Sequence, residues 1–115
     1  MTLVRGTIVL VSLDPTRGHE HRGVRPCILI TDPEVIEDQR FPMVCVVPLT
    51  TTPVEGALYP SLDPGGSGGL RTRSFALVDQ VRSIDKRRIS KIFGRVSGEE
   101  LRKIEEGLRL FLGLR

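Results

Sequence analysis

The stretch from Arg17 to Thr31, RGHEHRGVRPCILIT, has residue types that could present a cation to a ligand. It begins as a polar loop with three arginines, two histidines and one glutamate, and continues into an apolar, β-like segment. Because Pro26 biases the residue before it toward an extended conformation, we predict that Arg25 lies at a rigid junction between loop and strand. An ordinary solvated basic loop is the alternative that this stretch alone leaves open.

A second group of candidate residues follows the apolar run Met43 to Leu49, where Thr50, Thr51 and Thr52 stand in succession. Hydroxyl groups at the end of a strand can face a ligand, but threonine is also common in β-strands that have no such role. Taken alone, the three threonines favour the structural interpretation.

The segment from Arg71 to Arg95 is strongly basic, with a net charge of +6 against +3 for the whole chain. Each contact between a cation and a phosphate releases counterions, so a basic face suits a polyanion such as a nucleic acid. A merely solvated charged face is the alternative, and charge does not distinguish RNA from DNA. The basic residues of the segment are Arg71, Arg73, Arg82, Lys86, Arg87, Arg88, Lys91 and Arg95.

The cysteines and histidines do not have the spacing of a metal site. Cys27 and Cys45 each lie within an apolar run, which predicts buried, reduced thiols that pack as small hydrophobic side chains. Neither belongs to a CxxC motif. His19-Glu20-His21 brings two imidazoles together, but no clear third ligand follows. The sequence therefore predicts neither a metal ion nor another cofactor.

The length and composition are typical of one soluble domain that spans residues 1–115. Aromatic residues make up only 4% of the chain, so valine, leucine and isoleucine must fill the core. No apolar run approaches the roughly 20 residues that a membrane helix needs. The N-terminus has no signal-peptide pattern. We expect a cytoplasmic protein that does not enter a membrane.

Runs of apolar residues separated by turn signals predict five or six short strands. A short helix is expected between the second and third strands, capped by Thr31 or Asp32 and ending near Arg40, and a second short helix at Lys86 to Ser90. The glycine-rich segment Asp63 to Gly69 is expected to be a mobile hairpin tip without regular structure. The predicted strands lie in Arg5–Gly18, Pro26–Thr31, Met43–Leu49, Val54–Leu62, Ser74–Arg82 and Lys91–Val96.

The C-terminal segment has the pattern of an amphipathic helix. Ser97-Gly98-Glu99-Glu100 matches a capping box. Apolar residues recur behind it at helical spacing, at Leu101, Ile104, Leu108, Phe111 and Leu112. Two ion pairs with a spacing of four residues are expected along the helix, Glu99–Lys103 and Glu105–Arg109.

Short strands followed by one helix predict an α+β fold, built on a strongly bent sheet or a small barrel. In such a sheet three features could share one rim. They are the loop after the first strand, the end of the third strand and the basic turn near Arg82.

Three ordered motifs resemble the MazF/PemK toxins of type II toxin–antitoxin systems. They are RGTIVLVSLDPTRGHEHRGVRPCILIT, VVPLT at Val46–Thr50 and VDQVRSIDKRRI at Val78–Ile89. The resemblance extends from about Val4 to the C-terminus. It implies a small SH3-like β-barrel of the MazF/CcdB-like plasmid-toxin type with a C-terminal helix, normally a homodimer. It also implies metal-independent, sequence-specific cleavage of single-stranded RNA. A cognate antitoxin would cover the same groove with an extended segment, and DNA would be contacted only through the antitoxin complex.

The resemblance implies catalytic roles for Arg25, from a GxRP motif, and for Thr50, with Thr51 as the candidate if the register differs by one. In metal-free RNA cleavage the ribose 2′-hydroxyl is the nucleophile, and fixed cationic donors stabilise charge on the phosphate oxygens. The guanidinium of Arg25 suits this role, because arginine stays protonated and is a poor acid–base catalyst.

Five further residues are expected near the RNA. Gln80 and Arg82 would position the substrate, and His19, Glu20 and His21 would lie near the groove that reads the bases. Histidine could carry protons near neutral pH, although the family does not require it in this loop.

Two other functions remain open at this point. A non-catalytic toxin on the same barrel could act by binding a protein, as the gyrase-poisoning toxins do. A plain nucleic-acid-binding module would bind with strong salt dependence and cut nothing.

Overall fold

The computed structural model describes residues 3–13, 18 and 23–114. That part of the chain forms seven β-strands, two α-helices and three short 3₁₀ turns. Neither of these helices is long and apolar enough to cross a lipid bilayer. The strands and helices in chain order are β1 (Thr7–Ser12), β2 (Val24–Leu29), α1 (Pro33–Glu37), β3 (Met43–Thr50), β4 (Ser61–Leu62), β5 (Ser74–Ala76), β6 (Arg82–Asp85), β7 (Ile89–Arg95) and α2 (Gly98–Leu112).

The strands pair antiparallel in the order β4-β5-β3-β2-β1-β7, and β6 also pairs with β3. β3 is long enough to serve two partners on one edge: its first half pairs with β6 and its last two residues pair with β5. The register between β1 and β7 shifts twice, and such irregularities bend a sheet. The result is a curled antiparallel sheet with a C-terminal helix, which confirms the predicted α+β barrel.

The central strands β1, β2 and β3 are buried on both faces, as their apolar sequences predict. Side chains alternate along each strand, so neighbours enter different cores. Ile8, Ile28 and Val47 pack in a cluster that includes Ile104 of α2. On the opposite face, Val9, Cys27, Leu29 and Val46 pack in a cluster that includes Ile36 of α1. These strands are therefore anchored in both cores and can hold the residues at their ends in fixed positions.

Two of the predicted strands are wrong in extent. Most of Val54–Leu62 forms turns, and only Ser61–Leu62 pairs as β4, because Gly56 at φ +135° and the flanking prolines Pro53 and Pro60 break the strand. Ser74–Arg82 divides into β5 and β6 around a 3₁₀ turn at Val78–Gln80. β5 pairs with the end of β3, and this turn then brings the chain to the beginning of β3, where β6 pairs.

The helices begin where predicted, but one of their expected contacts differs. Asp32 caps α1, which ends at Glu37 rather than near Arg40. Ser97 and Glu100 form the predicted capping box of α2. The expected pair Glu99–Lys103 is present at 4.0 Å. Glu105 instead forms an ion pair with Arg5, so it ties α2 to the sheet rather than to the next turn of its own helix.

The glycine-rich segment is more ordered than expected. Gly66–Gly68 forms a 3₁₀ turn, and Gly65 and Leu70 pair across its base. The hydroxyl of Ser67 donates to the carbonyl of Arg95 at 2.8 Å, which fastens the segment to β7. The prediction that this segment has no regular element is wrong, because glycine permits a backbone-to-backbone contact that other residues would prevent.

The turn before β7 provides a prediction about stability and pH. The guanidinium and backbone N–H of Arg87 donate to the carboxylate of Asp85 and lower its pKa from the usual 3.8 to about 2. A carboxyl group with a lowered native pKa stabilises the fold above its unfolded pKa, and this contribution is lost as the pH falls through the native value. The difference in Tm between the wild type and Asp85→Asn should therefore be constant above about pH 5 and shrink toward about pH 2. A difference that does not change over this range would contradict the assignment.

Candidate active site

Arg25 lies at the start of a buried strand, in the extended conformation that the Pro26 signal predicts. It is the second residue of β2 and pairs with Val11 of β1. Farther along β2, Cys27, Ile28 and Leu29 are fully buried, whereas Arg25 is exposed. The strand is thus anchored in the core a few residues from the point where it presents a cation at the surface.

Thr50 is the last residue of β3, and β3 pairs with β2, the strand that carries Arg25. The pairing of β2 with β3 places Cys27 opposite Pro48. Continuing this antiparallel register by two residues places Arg25 opposite Thr50, and both side chains then lie on the same face. The two residues line one cavity of about 290 Å³. The polar and proline residues around it are Arg25, Pro26, Thr50, Thr51, Thr52 and Ser74.

The hydroxyl of Thr50 is held in place by its own turn. Its oxygen accepts a hydrogen bond from the backbone N–H of Thr52 at 3.1 Å. A hydroxyl that accepts in this way keeps its own proton to donate to another group. Thr50 is half-buried, whereas Thr51 and Thr52 are exposed beyond the end of the strand. The three threonines are therefore not equivalent, and Thr50 is the one placed opposite Arg25.

Arg82 lies on the same face of the sheet as Thr50, but its side chain binds a backbone carbonyl. It is the first residue of β6 and pairs with Val46, which shares a face with Thr50 because the two are four residues apart in β3. Its guanidinium donates to the carbonyl of Leu13 at 3.2 Å. Gln80 ends the 3₁₀ turn before β6 and is half-buried. Neither residue lines the Arg25–Thr50 cavity.

The predicted base-reading residues His19, Glu20 and His21 lie outside the described residues. The backbone at the two ends of their loop is described: the N–H of Leu13 donates to the carbonyl of Gly23 at 2.9 Å. The loop therefore starts and ends beside Arg25, and the expectation that it contributes to the site stays a prediction.

Most cations of the basic segment are used inside the protein, which corrects the prediction of one basic face. Lys86 donates from Nζ to the carbonyls of Val35 and Asp38, both at 3.1 Å, and so binds the end of α1. Arg87 is paired with Asp85.

Three further arginines of the segment also have partners elsewhere. Arg73 pairs with Asp63 at 2.9 Å. Arg88 donates to the carbonyl of Ser12 at 3.1 Å, next to the carbonyl that Arg82 binds. Arg95 donates to the carbonyl of Arg5 at 3.3 Å. Six of the eight cations in the segment therefore contact carbonyl or carboxylate groups of the protein itself, so fewer cations are available to a ligand than the count suggests.

Residues that sequence reasoning missed line a neighbouring cavity of about 500 Å³. It shares Pro26, Thr51 and Ser74 with the Arg25–Thr50 cavity. Its other polar lining includes Arg71 and Lys91, which the sequence identified only as members of a basic run. The alternation of charged and hydroxyl residues in Arg71-Thr72-Arg73-Ser74, just before a strand, was the available signal.

The two cysteines behave as structural thiols. Both are free. Burial raises the pKa of Cys27 to about 12, and burial also raises the pKa of the half-buried Cys45. A thiol with a raised pKa is a poor nucleophile and a poor metal ligand at neutral pH. In the parts of the chain that the structure describes, no three histidine, cysteine, aspartate or glutamate residues are arranged to hold a metal ion.

A third cavity, of about 420 Å³, lies between the glycine-rich segment and the start of α2. Its lining includes Asp63, Glu99 and Glu100 against the single cation Lys103. The carboxylate of Glu100 already accepts from the backbone N–H groups of Asp63 and Ser97. An acidic cavity repels phosphate, so the Arg25–Thr50 cavity is the better candidate for phosphate chemistry.

Comparison with known proteins finds relatives along almost the whole chain. The family model for the PemK-like, MazF-like toxin of type II toxin–antitoxin systems matches residues 4–112. The chain is 32% identical over 113 residues to endoribonuclease MazF9 of Mycobacterium tuberculosis, with 96% of each chain covered. It is 30% identical over 117 residues to endoribonuclease EndoA of Bacillus subtilis, and the alignment covers 99% of this chain and 97% of EndoA.

A solved structure has the same fold. It is a mycobacterial endoribonuclease in complex with its cognate antitoxin, with a TM-score of 0.80, 19% identity and coverage of 98% of this chain and 97% of that one. At this identity the likeness concerns the fold, and it confirms the predicted toxin-type barrel with its C-terminal helix.

Proposed function

Because this chain belongs to the family of PemK-like, MazF-like toxins of type II toxin–antitoxin systems, we propose that it is an endoribonuclease that cleaves single-stranded RNA at specific sequences without a metal ion. The observation that carries the proposal is the cavity that Arg25 and Thr50 share at the ends of two neighbouring strands. The two full-length relatives, both endoribonucleases by name, support the same activity.

The proposed reaction is an internal phosphoryl transfer within the RNA. The ribose 2′-oxygen gives up its proton and forms a bond to the adjacent phosphorus, while the bond from phosphorus to the 5′-oxygen breaks and that oxygen takes a proton. The products are a 2′,3′-cyclic phosphate and a free 5′-hydroxyl, so protons balance. Negative charge increases on the non-bridging oxygens in the transition state, and the site must stabilise it.

Arg25 and Thr50 have complementary roles in this proposal. The planar guanidinium of Arg25 binds the non-bridging oxygens with two parallel hydrogen bonds. The Thr50 hydroxyl, with its oxygen held by the N–H of Thr52, donates to a phosphate oxygen. Arg25 stays protonated and is not the base. Histidine is a common general acid and base near neutral pH, and we propose His19 and His21 as proton carriers.

We propose that Gln80 and Arg82 position the RNA, and Glu20 the base next to the cut. For Arg82 the contact with the carbonyl of Leu13 supports a role at the base of the loop that carries His19–His21. A side chain that binds this carbonyl fixes the backbone that directly follows β1. Its contribution would then be to hold this backbone in place rather than to touch the scissile phosphate.

The partners follow from the family. We propose that a cognate antitoxin inhibits this chain by laying an extended segment over the Arg25–Thr50 cavity, and that two copies of the chain form a homodimer. The structural neighbour bound to its cognate antitoxin supports an antitoxin as a partner. DNA contacts belong to the antitoxin complex in this proposal, and the toxin acts in the cytoplasm with no cofactor.

The test is incubation of purified, antitoxin-free protein with a long single-stranded RNA in excess EDTA, with the new ends mapped by primer extension. We expect discrete cuts at one recurring sequence, with 5′-hydroxyl ends. Cleavage that requires added Mg²⁺ would refute the metal-free mechanism. Intact RNA from folded protein would refute the proposal in favour of a toxin that binds a protein, and salt-sensitive binding without cuts would favour a plain nucleic-acid-binding module.

The same assay distinguishes the two threonines. Thr50→Val should lower the cleavage rate about a hundredfold, as removal of one fixed donor at a developing negative charge does in other enzymes. Thr51→Val removes an identical hydroxyl from the next residue and should cause a much smaller loss. The reverse order would assign the catalytic hydroxyl to Thr51.

A further inference from the structure

The cavity next to the Arg25–Thr50 cavity adjoins it. The two cavities share Pro26, Thr51 and Ser74 in their linings, so a ligand in one lies close to the other. The neighbouring cavity has a volume of about 500 Å³, which lies within the range of small-molecule sites. We call it the side cavity.

Two cations of the basic segment meet in the side cavity. Arg71 precedes β5 and Lys91 lies in β7, and both are exposed. Within the described chain neither has a carboxylate or carbonyl partner, unlike Arg73, Lys86 and Arg87. Two cations with no anionic partner among the described residues can bind an anion from outside the protein.

Lys91 is held in position by an aromatic ring. Its Nζ lies 5.1 Å from the centroid of the Phe93 ring, a cation–π contact that restricts a long side chain without consuming its N–H donors. Phe93 packs against the core cluster beneath it, and its backbone carbonyl touches Gly69 so closely that a Cβ there would lie 2.8 Å away. The wall of the side cavity is therefore rigid before any ligand binds.

The lining of the side cavity is partly apolar. It includes the apolar residues Leu70, Phe93 and Pro26 and the hydroxyl-bearing residues Thr51, Thr72 and Ser74. A ligand that matches this lining has a flat or apolar portion, polar edges and negative charge near Lys91 and Arg71. A nucleotide of single-stranded RNA has all three.

We infer that the side cavity binds the nucleotide next to the scissile phosphate, with Lys91 and Arg71 contacting its backbone phosphate. This inference rests on the proposed function and adds a substrate subsite to it. The subsite would contribute binding energy away from the reacting atoms. It would also restrict the RNA to a path that leads the strand from the Arg25–Thr50 cavity across Pro26 toward β7.

The experiment measures RNA binding as a function of oligonucleotide length. The probe is a fluorescent RNA centred on the cleavage sequence mapped in EDTA, with a 2′-deoxyribose at the cut so that it cannot react. Versions shortened one nucleotide at a time from either end are titrated against the wild type, Lys91→Gln and Arg71→Gln. Each variant should bind the full probe about tenfold more weakly, as loss of one charge-assisted contact does.

The variants should differ from the wild type only while the side cavity is occupied. Once shortening removes the relevant nucleotide from one end, all three proteins should bind more weakly, and they should then bind equally. With the full probe, each substitution should also reduce the slope of log Kd against log[salt] by about one. Lys103→Gln on α2, a matched loss of one exposed lysine, should change neither quantity.

The contradictory outcomes are distinct from failure of the proposed function. If the wild type cuts RNA but Lys91→Gln weakens every length equally, the lysine acts through general electrostatics and the subsite is refuted. If neither variant changes RNA binding, or if they change only antitoxin binding, the side cavity serves another ligand and the inference is wrong. If the wild type neither binds nor cuts RNA, both the proposed function and the subsite are refuted.

Discussion

Arg25→Ala should abolish most of the RNA cleavage while leaving the barrel folded. The exposed guanidinium is presented at the start of β2 and lines the cavity that Thr50 also lines. Removing one preorganised donor to a developing oxyanion costs about 10² to 10³ in rate in other enzymes. We therefore expect at least about a hundredfold fall in the single-turnover rate, measured in EDTA with an RNA that contains the mapped site. The Tm should fall little, because the side chain lies outside the two cores.

Comparison of rate with affinity separates catalysis from simple attraction of RNA. If Arg25 acts in the transition state, affinity for the uncleavable 2′-deoxy probe should fall much less than the rate. Arg25→Lys should recover part of the rate, since an ammonium keeps the charge but loses the planar fork. Arg102→Ala, a matched loss of an exposed arginine on α2, should leave the rate unchanged. Wild-type cleavage by Arg25→Ala would refute the site assignment.

The resemblance to a known family predicts catalytic roles for Arg25 and Thr50, whereas local signals predict only where the two residues lie. Pro26 restricts Arg25 to an extended conformation, and Thr50 follows an apolar run that predicts a buried strand. Their meeting depends on the register of β2 against β3, with Cys27 opposite Pro48. A shift of one residue would place Arg25 and Thr50 on opposite faces, and no local pattern excludes that shift. The resemblance to a family supplied what local physics could not.

The charge pattern of the sequence was the least informative about which residues form the site. A count of +6 between Arg71 and Arg95 treats all cations alike, yet several of them have partners that are distant in sequence. Lys86 binds the end of α1, and Arg82 binds the carbonyl of Leu13. These are tertiary contacts that depend on the complete fold. Only after they are assigned do Arg71 and Lys91 emerge as the pair available to a ligand.

The wrong prediction of one continuous strand at Ser74–Arg82 has a similar cause. Ser74–Arg82 looks like one strand because it is rich in apolar residues, but one edge of β3 offers two separate segments for pairing. The 3₁₀ turn at Val78–Gln80 is required to move the chain from one to the other, and it buries Val78 beside α2. Local propensity gives no information about such a change of partner.

Gly94→Ala should be among the most destabilising single substitutions in this protein. Gly94 lies in β7 opposite Ile8, under the turn Gly66–Gly68. A Cβ on Gly94 would lie 2.1 Å from the carbonyl oxygen of Ser67 and 2.9 Å from the carbonyl carbon of Gly68. These are backbone atoms, so the turn must move away from β7. We expect a loss of about 2 to 4 kcal/mol and a fall in Tm of roughly 10 °C, from overpacking and the lost Ser67 hydrogen bond.

The matched substitution Gly98→Ala tests whether the clash, rather than the loss of a glycine, is responsible. Gly98 is the first residue of α2, and a Cβ there has no atom within 4 Å. Alanine should leave stability unchanged or raise it by up to about 1 kcal/mol. In Gly94→Ala, displacement of the glycine-rich turn should also speed native-state tryptic cleavage at the adjoining Arg71 and Arg73, whereas in Gly98→Ala it should not. Equal stability of the two variants would contradict the close packing of this turn on β7, and with it the rigid wall of the side cavity.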